Sequence, residues 1–273
     1  MTVGVRSGFL KTDFLAAKGQ EILILNLMPN RRQTEADFLD LFASTRKDVN
    51  LTFIIPASHD LKHDGSATRQ AYKTFNDVQE DYFDVLLVTG APLEFLPFSQ
   101  IDYFDEFLKI LDWRKQHVLF STFECWSAMA IAKIEYGLAY SIRSKKVSGV
   151  YELPVLSVFH NLKTIKIPES RYFQIDGIAD DWQIITNDHL GSLIALDQAN
   201  RTLLIAGHPE YAEQTLANEY ARDLKKGLDI DEPDHYFDKN KIAHKSWADS
   251  AALLFSSWLD LAAASKAKKT EFC

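Results

Sequence analysis

Short continuous apolar runs, spaced by amphipathic stretches, constrain the fold of this chain more than any other feature. Residues 21–27, 51–55, 84–89 and 118–123 are β-prone and apolar along most of their length rather than at alternate positions. A strand with that pattern is buried on both faces, as in a parallel sheet covered by helices. Between the runs, residues 34–44 put Phe38, Leu39 and Phe42 on one helical face. Residues 101–113 do the same with Phe104, Phe107, Leu108 and Leu111. The order strand, helix, strand, loop, strand, helix, strand, helix predicts an α/β fold, with a mostly parallel sheet flanked by helices. Residues 56–68 are polar and read as the loop. From 147 to 206 the runs shorten, which predicts short strands in an added or antiparallel part of the sheet. Residues 215–226 and 246–263 read as closing helices. Residues 1–19 show no clear period and read as an N-terminal arm that packs on the body or on a neighbouring subunit. Residues 20–264 are expected to form a single domain, and the polar residues 265–273 a loose tail.

Composition narrows the partners. A net charge of -8, from 30 basic and 38 acidic side chains, argues against nucleic acid, because a phosphate backbone needs a basic surface. It leaves room for a small anion in a local basic pocket. Two cysteines, Cys125 and Cys273, are too few for a disulfide framework, so a reduced, cytoplasmic location is expected. There is no early signal-type apolar segment and no run long enough to cross a bilayer, so no membrane association is expected.

The run at 118–123 changes character at Cys125. Before it lie β-prone residues; after it come Ala128, Met129, Ala130 and Ile131, which suit a helix. A cysteine at such a strand-to-helix elbow is held at the positive end of the helix, where a thiolate is stabilised and the next backbone N–H can face an oxyanion. Ser127 and Ala128 are small enough for the helix to pack close to the strand. Taken alone, Cys125 reads more readily as a buried structural cysteine. Downstream, residues 203–206 form an apolar strand that breaks at Gly207 and presents His208 and Glu210. A thiol, a proton acceptor and a carboxylate that fixes the imidazole tautomer make a Cys–His–acid set, and the joint pattern is stronger than any single residue.

With these residues in view the chain resembles the homoserine O-acyltransferases, the homoserine trans-succinylase family. The matching stretches are Ile22-Leu-Ile-Leu-Asn-Leu-Met-Pro29, Val88-Thr-Gly-Ala-Pro-Leu-Glu94, Cys125-Trp126, Lys146-Val-Ser-Gly-Val-Tyr-Glu152, Ser170-Arg-Tyr172 and Gly207-His-Pro-Glu-Tyr211. The resemblance implies a class I glutamine-amidotransferase-like (flavodoxin-like) fold with a nucleophile elbow. It implies that Cys125 takes an acyl group from acetyl-CoA or succinyl-CoA as co-substrate, that His208 is the base and that Glu210 orients it. No bound cofactor and no metal are implied. The backbone N–H groups of Trp126 and of Ala91 in the Gly90-Ala91 turn would form the oxyanion hole. Lys146, Ser170 and Arg222 fall on the family's substrate-binding positions. Glu94 falls on the position that goes with donor choice, where glycine accompanies succinyl and glutamate accompanies acetyl. A carboxylate there both repels the free carboxylate of a succinyl group and fills its space. The family further implies small-molecule substrates and a homodimer.

Read without the family, Arg222 is an exposed helix arginine paired with Glu219 or Asp223, Lys146 a solvated charge and Ser170 an ordinary loop serine. Three stretches depart from the family pattern: Ser127 replaces glycine or alanine after Cys-Trp, Glu169 replaces histidine in Pro168-Glu-Ser-Arg-Tyr172, and Trp247-Ala-Asp-Ser250 replaces Trp-Arg-Ser-His. These bear on the acceptor, for which L-homoserine is expected and L-serine is the alternative. Homoserine would place the reaction in methionine biosynthesis, and serine in cysteine biosynthesis. A glutamine amidotransferase-type hydrolase is a third reading, because it shares the Cys–His–Glu set.

Overall fold

The computed structural model describes residues 1–61, 65–156 and 162–271, with side chains through residue 266. Where the sequence suggests one body over 20–264, the chain falls into two compact units. The first comprises residues 1–123 and 255–273, the second residues 124–254.

The first unit carries β1 (Val3–Ser7), β2 (Gln20–Leu25), α1 (Arg31–Ser44), β3 (Val49–Ile55), α2 (Gly65–Ala71), β4 (Lys73–Thr74), β5 (Phe83–Val88), α3 (Phe104–His117) and β6 (Val118–Glu124), whose last residue opens the second unit. The strands pair in parallel in the order β1-β3-β2-β5-β6, with β4 extending β3 at Ile54 and Ile55. All seven residues of β3 and all six of β5 are buried, as doubly covered strands require. Ile22, Leu23, Ile24 and Leu25 of β2 are fully buried, and each such side chain contributes about 1.5–3 kcal/mol.

Residues 1–19, expected as an arm on the body or on a neighbouring subunit, supply a strand to the sheet of the first unit. Residues 3–5 of β1 pair with residues 49–51 of β3, and the buried Asn50 side chain both accepts from the Ala16 N–H at 2.8 Å and donates to the Ala16 C=O at 3.0 Å. Five residues with two glycine-or-charge interruptions are too few to show a period in sequence.

The second unit opens with α4 (Trp126–Ile134), followed by β7 (Ala139–Pro154), β8 (Thr164–Asp176), β9 (Gln183–Thr186), β10 (Ile194–Asp197), β11 (Thr202–Ile205) and α5 (Thr215–Lys225). β9, β10 and β11 form an antiparallel set, as the shortened runs predict. The expectation of short strands fails for β7 and β8, which pair as one antiparallel ladder of 16 and 13 residues. The first half of β7 is largely exposed, so it carries no apolar alternation to read. Its register slips between Ile142 and Val147, where residues 143–146 bulge from the ladder. A bulge re-aims the side chains it carries, and Lys146 is its last residue.

Finally α6 (Ala248–Glu271) runs from the second unit into the first. In the first unit its Phe255 meets Phe42 edge-on at 5.8 Å and Trp258 at 5.1 Å. The tail from 265 is helical to Glu271 rather than loose, because its alanine and its lysines are strong helix formers. Lys266 reaches Asp84 at 2.8 Å. Residues 272–273, Cys273 among them, lie outside the described residues. Among the described residues no helix is long and apolar enough to cross a membrane.

Candidate active site

Cys125 sits between β6 and α4 with φ 52° and ψ -117°. An L-residue rarely holds that backbone, and the structure around it must impose it. Two bonds do so: the Cys125 N–H donates to the Ile205 C=O at 2.8 Å, and its C=O accepts from the Met129 N–H at 3.1 Å. Ser127 secures the turn from the other side, its hydroxyl accepting from the Glu124 N–H and donating to the Glu124 C=O, both at 2.9 Å. Trp126 is the first residue of α4, and Ser127, Ala128 and Met129 behind it are buried.

Gly207 explains how His208 arrives at this elbow. A Cβ on Gly207 would stand 2.5 Å from the Pro168 C=O oxygen, so only glycine lets the chain pass β8 this closely. The next amide, of His208, donates to that same Pro168 oxygen at 2.8 Å. The buried imidazole then bonds Glu210 Oε1 through Nδ1 at 2.8 Å, which leaves Nε2 for the Cys125 side chain, its other hydrogen-bond partner. Burial alone would pull the His208 pKa down, but Cys125 and Glu210 outweigh it and hold it well above the usual histidine range. The three residues singled out for catalysis are therefore one connected set.

Lys146, Ser170 and Arg222 are also brought together, around two acids of α5. Lys146 Nζ lies 3.0 Å from Asp223 Oδ2 and 3.5 Å from Glu219 Oε2. Ser170 donates a short hydrogen bond to Glu219. Arg222 donates from Nε to Asp223 Oδ1 at 2.7 Å, and its NH1 stands 3.9 Å from Glu219 Oε1. Burial would raise the Asp223 carboxyl, but its bonds to Arg222 and Lys146 hold it below the usual range. Glu219 and Asp223 are four residues apart and so share a helix face, which is the signal in sequence that marks both. Tyr211 joins this cluster to the catalytic set: its ring stacks on His208 at 4.2 Å, and its hydroxyl donates to Glu219 Oε1 at 3.2 Å.

Glu169, the residue that departs from the family histidine, is fully buried and accepts from Arg171 Nε at 2.8 Å. Ala91 and Glu94 belong to the first unit, in the turn after β5, where the Leu93 N–H donates to the Ala91 C=O at 2.9 Å. Sequence reasoning passed over Glu124, fully buried directly before the nucleophile, and gave no role to Tyr211.

Comparison with known proteins places the chain in a family. The family model for homoserine O-succinyltransferase matches residues 15–268. The chain belongs to that family. A homoserine O-acetyltransferase of Leuconostoc mesenteroides is 36% identical over 274 residues, covering 96% of this chain and 90% of its own. A protein of the same description from Lactococcus lactis subsp. lactis is 36% identical over 265 residues, covering 90% and 83%. Family and relatives alike are acyltransferases. Among solved structures, a glutamine amidotransferase from Thermotoga maritima aligns with a TM-score of 0.57 at 13% identity, over 89% of this chain and 98% of that one. One from Methylobacillus flagellatus aligns at 0.57 and 11%, over 91% and 96%. At those identities the likeness shows the fold alone, and it is the class I glutamine-amidotransferase-like fold implied by the sequence.

Proposed function

We propose that this acyltransferase moves an acetyl group from acetyl-CoA to the hydroxyl of L-homoserine, through a thioester on Cys125, as a step of methionine biosynthesis. The observation that carries the reading is the Cys125–His208–Glu210 set at the elbow before α4. The Cys125 thiolate attacks the thioester carbonyl and CoA leaves, its sulfur taking a proton from His208. The acceptor hydroxyl then attacks the acyl-cysteine while His208 takes the hydroxyl proton, and collapse releases Cys125. Glu210 holds Nδ1 throughout, so Nε2 stays aimed at the reacting atoms. Thioester exchange is nearly isoenergetic, and the second step, thioester to oxygen ester, is the favourable one. Trp126 N–H, first in α4, is the oxyanion donor, with Ala91 N–H as its partner on the strength of the family motif.

The acceptor is an amino acid, and the α5 cluster offers both charges it needs. Arg222, half-exposed, exchanges its Asp223 contact for the acceptor carboxylate, while Lys146 and Ser170 line the approach. Serine remains a second reading because of Glu169, buried beside Ser170 where the family carries histidine. Serine and homoserine differ by one methylene, which a pocket separates by about 1–3 kcal/mol. Glu94 disfavours a succinyl donor, whose free carboxylate it repels. The substrates are small molecules, and the protein works as a homodimer by analogy with its family.

The test is kcat/KM for acetyl-CoA and succinyl-CoA, each with homoserine and serine, beside a glutaminase assay. Acetyl-CoA with homoserine is expected to lead, with no glutaminase turnover, and Glu94→Gly is expected to narrow the donor gap. Preference for succinyl-CoA would overturn the role of Glu94. A clear lead for serine would replace the acceptor and leave the thioester intact.

A further inference from the structure

Behind the catalytic set lies a group that the proposed mechanism leaves idle. Glu124 is the last residue of β6, fully buried and joined directly to Cys125. Neither of its carboxyl oxygens finds a hydrogen-bond donor among the described residues. The same holds for Glu210 Oε2, while Glu210 Oε1 is occupied by His208. Two buried carboxyls within electrostatic reach of each other therefore carry three oxygens with no donor among the described residues. Leaving a buried polar group without a partner is costly, and more so for a charge.

One proton resolves most of this. A carboxylic acid has an O–H to give, and an ionised carboxylate beside it has lone pairs to receive. We propose that Glu124 is a positioning residue: as a neutral acid it donates its O–H to Glu210 Oε2, and through Glu210 it fixes the His208 ring against Cys125. Among the described residues, the charged groups that act on Glu124 are Glu210, His208 and Cys125, and Glu169 of β8 acts on His208. Burial first, then the negative charges of Glu210 and Cys125, hold the Glu124 carboxyl well above the usual range, with His208 opposing. Glu210 thereby becomes a carboxylate with a donor on each oxygen, the arrangement that keeps an orienting acid in one rotamer. Nothing in this role touches substrate.

The inference rests on the Cys125–His208 pair proposed above, so its test reads that pair without any substrate. Alkylation of Cys125 by iodoacetamide, followed by peptide mass spectrometry to separate it from Cys273, reports the thiolate across pH. Glu124→Val removes the donor and is expected to slow alkylation near neutral pH about tenfold, whereas Glu124→Gln, which still donates through its amide, is expected to restore it to within about threefold of wild type. Equal losses in both variants would mean that a charge on Glu124 is what matters, and would overturn the proposal. Wild-type rates in Glu124→Val would overturn it too. Should the valine variant fail to fold, the infrared difference between wild type and Glu124→Gln decides. A carboxylic-acid carbonyl band lost in the glutamine variant supports a neutral Glu124; its absence from wild type refutes it. Turnover is measured in parallel. A protein that alkylates with the expected pattern yet transfers no acyl group upholds Glu124 and overturns the proposed substrates.

Discussion

His208 is held as an imidazolium by two neighbours, and this has a thermodynamic consequence. Its folded pKa stands above the ordinary 6.5, so the folded chain binds that proton more tightly than the unfolded chain does. The resulting stabilisation is fully present below about pH 6.5 and is lost as pH rises through the raised folded value. Urea unfolding of wild type and His208→Gln across pH should therefore show a stability gap that shrinks as pH rises above neutrality. A gap that does not change with pH would mean that folding leaves the ring's hold on its proton unchanged. Arg222 offers a contrasting case. Its side chain is half-exposed and its ion pair with Asp223 is local, so Arg222→Ala should cost under about 1 kcal/mol of stability. The same variant should raise KM for the acceptor while leaving acylation of Cys125 by acetyl-CoA nearly unchanged. Failure to acylate would move Arg222 out of the acceptor site.

Among the elements, the His208 turn depends most on a single atom's worth of space. A Cβ on Gly207 would press on the Pro168 carbonyl and on Ile167 of β8. Gly207→Ala should destabilise by about 1–3 kcal/mol through overpacking and displace His208 with the turn, lowering turnover even where the fold survives. Calorimetry with a parallel rate measurement checks both; unchanged values for both would show that β8 yields freely. This turn was legible in sequence because glycine, histidine and glutamate follow an apolar run in four residues. So was the elbow, where β-prone residues give way to small helical ones. The long β7–β8 ladder was not, since exposed residues there are held by strand pairing rather than burial. Without the family motif Lys146 was visible only as one of several charges, and the bulge that sets it apart exists only once β8 supplies a register. Glu124 was the least legible: a glutamate before an elbow cysteine reads as a charge at a strand end. Its burial depends on residues some eighty positions away.

At the scale of the whole molecule, the parallel strands were readable because doubly buried runs look alike wherever they occur. The strand in the first segment and the helix in the last went unrecognised for opposite reasons: β1 is too short to carry a pattern, and the end of α6 is polar yet rich in helix formers. Cys125, His208 and Glu210 stood out because they lie at breaks between elements, where their types are conspicuous. The two units each carry their own strands, and the second by itself holds Cys125, His208, Glu210 and the cluster of Lys146, Ser170 and Arg222. The central claim is that Cys125 carries the acyl group between donor and acceptor. It is tested most directly by mixing the protein with acetyl-CoA in the absence of any acceptor, quenching in acid and weighing the peptides. One acetyl group on the peptide that contains Cys125, absent from Cys125→Ala and discharged when homoserine is added, is the predicted result. Full turnover by Cys125→Ala, or a wild type that turns over without ever showing the adduct, would contradict it.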